Sequence, residues 1–194
     1  FIGMFVALLL AFLMQPLRKM WDYDRNSQHS LRRNPLSEMS IIWSDRRLRY
    51  LGFVAFCFAA IQLCLTTFAV TMLVDDLNFS LIESGVILAI LHIAGVTGRL
   101  WWGWLADRLN DGNATLLMIA LLSVIFAVIT GQLSADLPHI WVYLLMASFS
   151  FAAVGWNGVF MAEIARTAPK ETTSKATGAV LVMSFTGILL GPPA

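Results

Sequence analysis

The residues with the most chemistry to offer lie inside long apolar runs. Gln62 and Thr66 are four apart in residues 50–74, which carry no formal charge. On a helix they share a face. A glutamine amide is costly to leave idle in an apolar setting, whereas a threonine hydroxyl can bond its own helix backbone. His92 stands seven residues after Gly85 and seven before Arg99, so the three share a face. A neutral imidazole there can bond a solute, bond a neighbouring helix, or take up a proton. In Gly155-Trp156-Asn157-Gly158 two glycines bracket an indole and an amide. Asn157 both donates and accepts, and Trp156 offers a flat wall with one donor. The glycines allow a bend, and Asn157 has the alternative use of bonding a neighbouring helix. These are groups for binding.

Catalytic patterns are missing. There is no H-E-x-x-H, G-x-S-x-G or Walker spacing. The run Asp111-Gly112-Asn113-Ala114-Thr115 lacks the arginine and later aspartates of a lipid-head transferase. No catalytic residue, metal or cofactor is expected. Cys57 and Cys64 are seven apart, about 10 Å along a helix, too far to bridge. They read as small packing residues.

A second constellation runs Gly95, Arg99, Gly103, Asp107, each four apart, followed by Arg108 and the turn signal Asp111-Gly112. On a helix it forms a slowly turning stripe. Its glycines would let another backbone come close. Arg99 would sit at the helix end, able to snorkel or meet a carboxylate. Asp107 would lie past that end, free to cap a helix or pair with a base.

The elements that must position these residues follow from composition. Of 194 residues, 58% are hydrophobic and only 13% charged, with mean hydropathy +0.74. Ordinary soluble chains carry about 25% charged residues. A net charge of +1 without a basic domain argues against nucleic acid as partner. Crossing a bilayer takes about 20 apolar residues. Residues 1–17, 50–74, 81–106, 112–135, 137–162 and 176–194 qualify as six spans. The first and last read as cut short. Four complete runs of that length exclude a soluble core. The fold class is therefore all-α, a polytopic transmembrane helix bundle that reads as truncated at both ends.

Alternating these spans puts all 13 Lys and Arg on one side. They fall in 15–49, in 99–111 and in 163–175. The other side holds Asp75, Asp76, Glu83 and Asp136 and no base. The positive-inside rule makes the first side cytoplasmic. Residues 18–49 are the one long connection and read as a cytoplasmic linker between two bundles.

The stretch Gly98-Arg99-Leu-Trp-Trp-Gly103-Trp-Leu-Ala-Asp107-Arg108 resembles the signature loop of the major facilitator superfamily. There a helix ends G-R-x-x-x-G-x-x-x-D-R before a tight cytoplasmic turn. The glycine and basic pair that usually follow are blurred here: Gly112 comes late and no base follows it. Glu163-Ile-Ala-Arg166-Thr-Ala-Pro169, then Lys175 and Gly178, resembles the family's other cytoplasmic loop. Gly187-Ile-Leu-Leu-Gly191-Pro192 resembles its glycine-proline bend.

The resemblance covers essentially the whole chain. It implies two six-helix halves, with residues 1–17 as the end of helix 6, 18–49 as the linker and 50–194 as helices 7 to 11. It implies a secondary active transporter moving a small solute by alternating access, with a proton as a candidate coupling ion. Gln62, Thr66, His92, Trp156 and Asn157 become the candidate substrate contacts. Gly98, Arg99, Gly103, Asp107 and Arg108 become a cytoplasmic gate that holds the halves closed. The expected state is a monomer in the plasma or inner membrane, in contact with lipid. A membrane-embedded enzyme and a transporter-like sensor are the alternatives.

Overall fold

The computed structural model describes residues 12–13, 45–167 and 173–193. The chain divides into two units, Phe1–Asn34 and Pro35–Ala194. Of the first, only the helical pair Phe12–Leu13 is described, so the expected helix 6 and most of the linker lie outside the described residues.

The second unit is a helix bundle, with no strand among the described residues. Helix α1 runs Arg46–Thr71 and continues into a π-helical turn, Met72–Asp76. Helix α2 is Leu81–Leu109 and α3 is Gly112–Thr130. Helix α4 is His139–Ala153, α5 is Trp156–Thr167, and α6 is Thr173–Leu190. Four stretches are long and apolar enough to cross a bilayer: Arg46–Asp76, Leu81–Leu109, Gly112–Thr130, and α4 with α5 together, His139–Thr167.

Local chemistry sets the helix ends. The Asp45 carboxylate accepts from the Arg47 backbone N–H at 2.8 Å, capping α1. Ser80 and Glu83 form a reciprocal capping box at the start of α2, with bonds of 3.0 and 3.2 Å. Asn110 closes α2 in the left-handed conformation, φ 51°. Asp111 then caps α3 by accepting from Ala114 N–H at 3.0 Å. Helix, left-handed asparagine, aspartate cap and helix thus follow with no slack between them.

Several ends differ from the apolar runs. Helix α2 continues to Leu109, so Asp107 lies inside its last turn and not beyond the helix. The left-handed Asn110, and not the first charge, ends it. Helix α3 stops at Thr130, short of residue 135. The run 137–162 is not one helix. It breaks at Val154–Gly155 and resumes to Thr167.

Packing forces that break. A Cβ on Gly155 would stand 2.5 Å from Trp102 Cδ1 and 2.7 Å from the Phe151 carbonyl oxygen. A Cβ on Gly98 would collide with that same carbonyl. The backbones of α2 and α4 therefore touch here, and glycine is what fits. At a second crossing, Gly187 of α6 lies against the Phe56 carbonyl of α1.

The buried apolar residues form two clusters. One holds Leu51, Phe58, Trp102, Ile119, Trp156 and Phe160. The other holds Leu65, Leu73, Ile87, Leu91, Val142 and Met146. Outward-facing Leu117, Leu121, Val124 and Val128 of α3 are all exposed, as a helix solvated by lipid requires.

Candidate functional site

The polar cluster sits where the two apolar clusters meet. Helix α1 supplies Gln62, and the first turn of α5 supplies Trp156 and Asn157. Trp156 Nε1 donates to Gln62 Oε1 at 3.0 Å, and Asn157 Nδ2 donates to the same oxygen at 3.4 Å. An indole N–H can only donate, so it fixes which end of the Gln62 amide faces it. The remaining Gln62 N–H groups and the Asn157 carbonyl oxygen are then directed elsewhere.

Beside this pair lies a cavity of about 200 Å³, lined by Gln62, Asn157, Met161, Ser184 and Phe185 among others. Among the described residues, no ionisable side chain lines it. Trp156 also borders the cavity, but it is only 3% exposed. Its ring stacks on Phe58 at 5.3 Å with planes 14° apart, and Phe160 meets it edge-on at 5.1 Å. The indole is thus more a clamp on Gln62 than the flat wall its position suggests.

The helix break is stitched from α2. Trp102 Nε1 donates to the Phe151 carbonyl at 3.0 Å, and Arg99 Nε donates to the Val154 carbonyl at 3.4 Å. One turn earlier in α4, buried Ser150 donates to the Leu91 carbonyl at 2.7 Å. A carbonyl freed by a helix break is costly in an apolar medium, and Arg99 and Trp102 meet that cost.

Of the other expected contacts, Thr66 stays outside the cluster. Its hydroxyl donates to the Gln62 and Leu63 carbonyls of its own helix at 3.1 and 3.2 Å. His92 is exposed on α2 and has no hydrogen bond among the described residues.

The structure scatters the five signature residues. Gly98 is buried against α4, while a Cβ on Gly103 would meet nothing within 4 Å. Arg108 lies over the exposed Trp104 ring at 5.5 Å. Asp107 faces Arg166 of α5 at 3.6 Å, with side-chain exposures of 79% and 44%. That pair joins two helices of one bundle and is too exposed to add much stability.

A stronger contact lies beside it. Buried Glu163 of α5 accepts from Asn113 Nδ2 at 2.8 Å, and its other oxygen lies against Gly112. A carboxylate at the first turn of α3 suits the helix dipole. A larger cavity of about 560 Å³ opens here, lined by Arg47, Tyr50, Phe58, Asn113, Glu163 and Thr167 among others. Sequence reading passed over Asn113, and it overlooked Ser184, a hydroxyl deep in the last apolar run.

A helix bundle of this length and apolarity defines a multi-pass membrane protein. A family model described as Major Facilitator Superfamily matches residues 1–192, and the chain belongs to that family. It is 27% identical over 120 residues to the benzoate transport protein of Acinetobacter baylyi, covering 62% of this chain and 25% of that protein. It is 28% identical over 160 residues to membrane transporter D2 of Leishmania donovani, covering 77% and 28%. It is 21% identical over 157 residues to a probable hexose phosphate transport protein of Chlamydia pneumoniae, covering 77% and 34%. The matched region thus spans about a quarter to a third of these relatives. No solved structure gives a significant match.

Proposed function

We propose that this chain is part of a secondary active transporter that moves a small solute by alternating access, with its substrate site at Gln62, Trp156 and Asn157. The observation that carries the reading is the convergence of an α1 amide with an α5 amide and indole at a helix break. Broken helices lining a midplane cavity are a recurring way to build transporter sites. In this reading residues 18–49 and the chain near 107–111 and 163–175 face the cytoplasm, the membrane is the plasma or inner membrane, and the protein works as a monomer. Asp107 and Arg108 act at the cytoplasmic mouth as part of the gate formed by the signature stretch, Gly98 to Arg108. His92, exposed on α2, is a candidate contact for the solute or for a coupled proton.

The test uses the full-length transporter in proteoliposomes. Benzoate and a hexose phosphate are the first solutes to try, because the names of two relatives carry them. Once a solute is found, Asn157→Ala is expected to raise its apparent KM severalfold while leaving the protein folded and inserted. Unchanged KM and kcat would remove Asn157 from the site.

A further inference from the structure

The bond between Trp156 and Gln62 settles which atoms the neighbouring cavity presents. The Trp156 indole N–H can only donate, so the Gln62 atom 3.0 Å from it is the amide oxygen. The Asn157 atom 3.4 Å from that same oxygen must then be a donor, its amide nitrogen. What is left over is fixed in kind: N–H groups on Gln62 and a carbonyl oxygen on Asn157. Both side chains are half-buried and line the cavity of about 200 Å³. Among the described residues nothing accepts from those N–H groups or donates to that oxygen. Ser184, a third polar group lining the cavity, gives its proton to the Val180 carbonyl at 3.3 Å. Only its lone pairs remain.

The cavity therefore presents one donor group and two acceptors, with no ionisable side chain among the described residues. A carboxylate can accept from Gln62 but has no proton to give Asn157 or Ser184. An amidinium can donate to those two but sets its own N–H groups against those of Gln62. Either brings a net charge into an apolar setting without a counter-charge, which is costly. Leu63, Met161, Phe185 and Ile188 make much of the remaining wall apolar. An apolar cavity of about 150 Å³ takes a benzene ring, so this one has room for a single ring-sized body with one polar edge.

We infer that this cavity selects an uncharged group that both accepts and donates, a carboxamide or a hydroxyl, carried on a ring-sized body. The Gln62 amide donates to its oxygen, and the Asn157 carbonyl and the Ser184 hydroxyl oxygen accept from its proton. Trp156 acts through Gln62 as a positioning residue: it fixes that the donor comes from α1 and an acceptor from α5. The inference rests on the transport reading above and specifies which part of the solute enters between α1, α5 and α6. Any charge on the solute lies outside this cavity.

The test uses the full-length protein in lipid nanodiscs and three probes of one shape: cyclohexanecarboxamide, cyclohexanecarboxylate and cyclohexanecarboxamidinium. The first accepts and donates, the second only accepts, and the third only donates. Binding of each is measured by equilibrium dialysis. A lost pairing costs about tenfold in affinity, so the carboxamide is expected to bind about tenfold tighter than either charged probe. Gln62→Glu keeps an oxygen for Trp156 and Asn157 but turns the cavity-facing atom from donor into acceptor. It should weaken the carboxamide about tenfold and make the carboxamidinium the tightest of the three. Asn157→Ala, which removes an acceptor and adds no charge, should erase most of the carboxamide's advantage over the carboxylate; it serves if the Gln62→Glu protein does not insert. The proposal is overturned if a charged probe binds the unmodified protein as tightly as the carboxamide, if none of the three binds, or if the order survives both variants. The transport reading fails separately, if the order holds but the carboxamide does not inhibit uptake of the transported solute. The cavity then binds as inferred and lies off the transport path.

Discussion

The bond between Trp156 and Gln62 can be weighed by a double-mutant cycle on the full-length protein, because its two ends fail differently. Trp156→Phe keeps an aromatic ring against Phe58 but removes the donor to Gln62. The Gln62 oxygen still accepts from Asn157, so no buried acceptor is orphaned. The cost is one net hydrogen bond, about 1 kcal/mol, plus the packing lost with the smaller ring. Gln62→Leu leaves the indole N–H, on a side chain only 3% exposed, with nothing to donate to. That strands a buried donor, at about 1–3 kcal/mol. Removing both groups relieves the stranded donor. The double variant should therefore be more stable than the sum of the single effects predicts, by about 1–2 kcal/mol. The assay is equilibrium unfolding in mixed micelles, followed by helix content. Additivity within about 0.3 kcal/mol would show that the two groups do not act together, and the fixed orientation of the Gln62 amide would be withdrawn.

Two further outcomes follow from the same geometry. Gly98→Ala should lower the thermal midpoint of the full-length protein clearly, by about 2 kcal/mol or more in stability, because its methyl group would meet a backbone carbonyl that cannot turn aside. Gly85→Ala, at a site with nothing within 4 Å, should leave the midpoint unchanged or raise it slightly, and equal losses in the two would refute the packing argument. Asp107→Ala and Arg166→Ala should each change stability by less than about 0.5 kcal/mol, since the pair is exposed, yet each should slow uptake in proteoliposomes if the gate reading holds; full uptake in both would end it.

Much of the bundle was legible in the sequence because a lipid solvent writes a coarse signal. Long, mostly apolar runs marked the four complete spans, and the two glycines around Trp156-Asn157 marked the place where a helix bends. The pairing of Gln62 with Trp156 and Asn157 was half-visible: the residues stood out singly as polar groups in apolar runs, but no spacing rule relates positions more than 90 apart. A separation of 50 residues likewise hid the contact of Asn113 with Glu163. Helix ends were harder still. Apolar runs end at charges, whereas helices end at caps, and Asn110 in its left-handed conformation carried α2 past Asp107. The clamp role of Trp156 was invisible because it depends on Phe58 arriving from another helix to cover the ring.

The layer of amides between the two apolar clusters also sets alignment. Apolar faces in a bilayer interlock by shape alone, and one turn of slip, about 5.4 Å, exchanges one aliphatic contact for another. A single indole-to-amide bond does not tolerate that exchange. Sliding α1 along α5 by one turn would carry Gln62 past Trp156 and bring in Phe58 or Thr66, neither of which offers a side-chain amide oxygen. The bond therefore acts as a dowel, holding two otherwise slippery helices at one height.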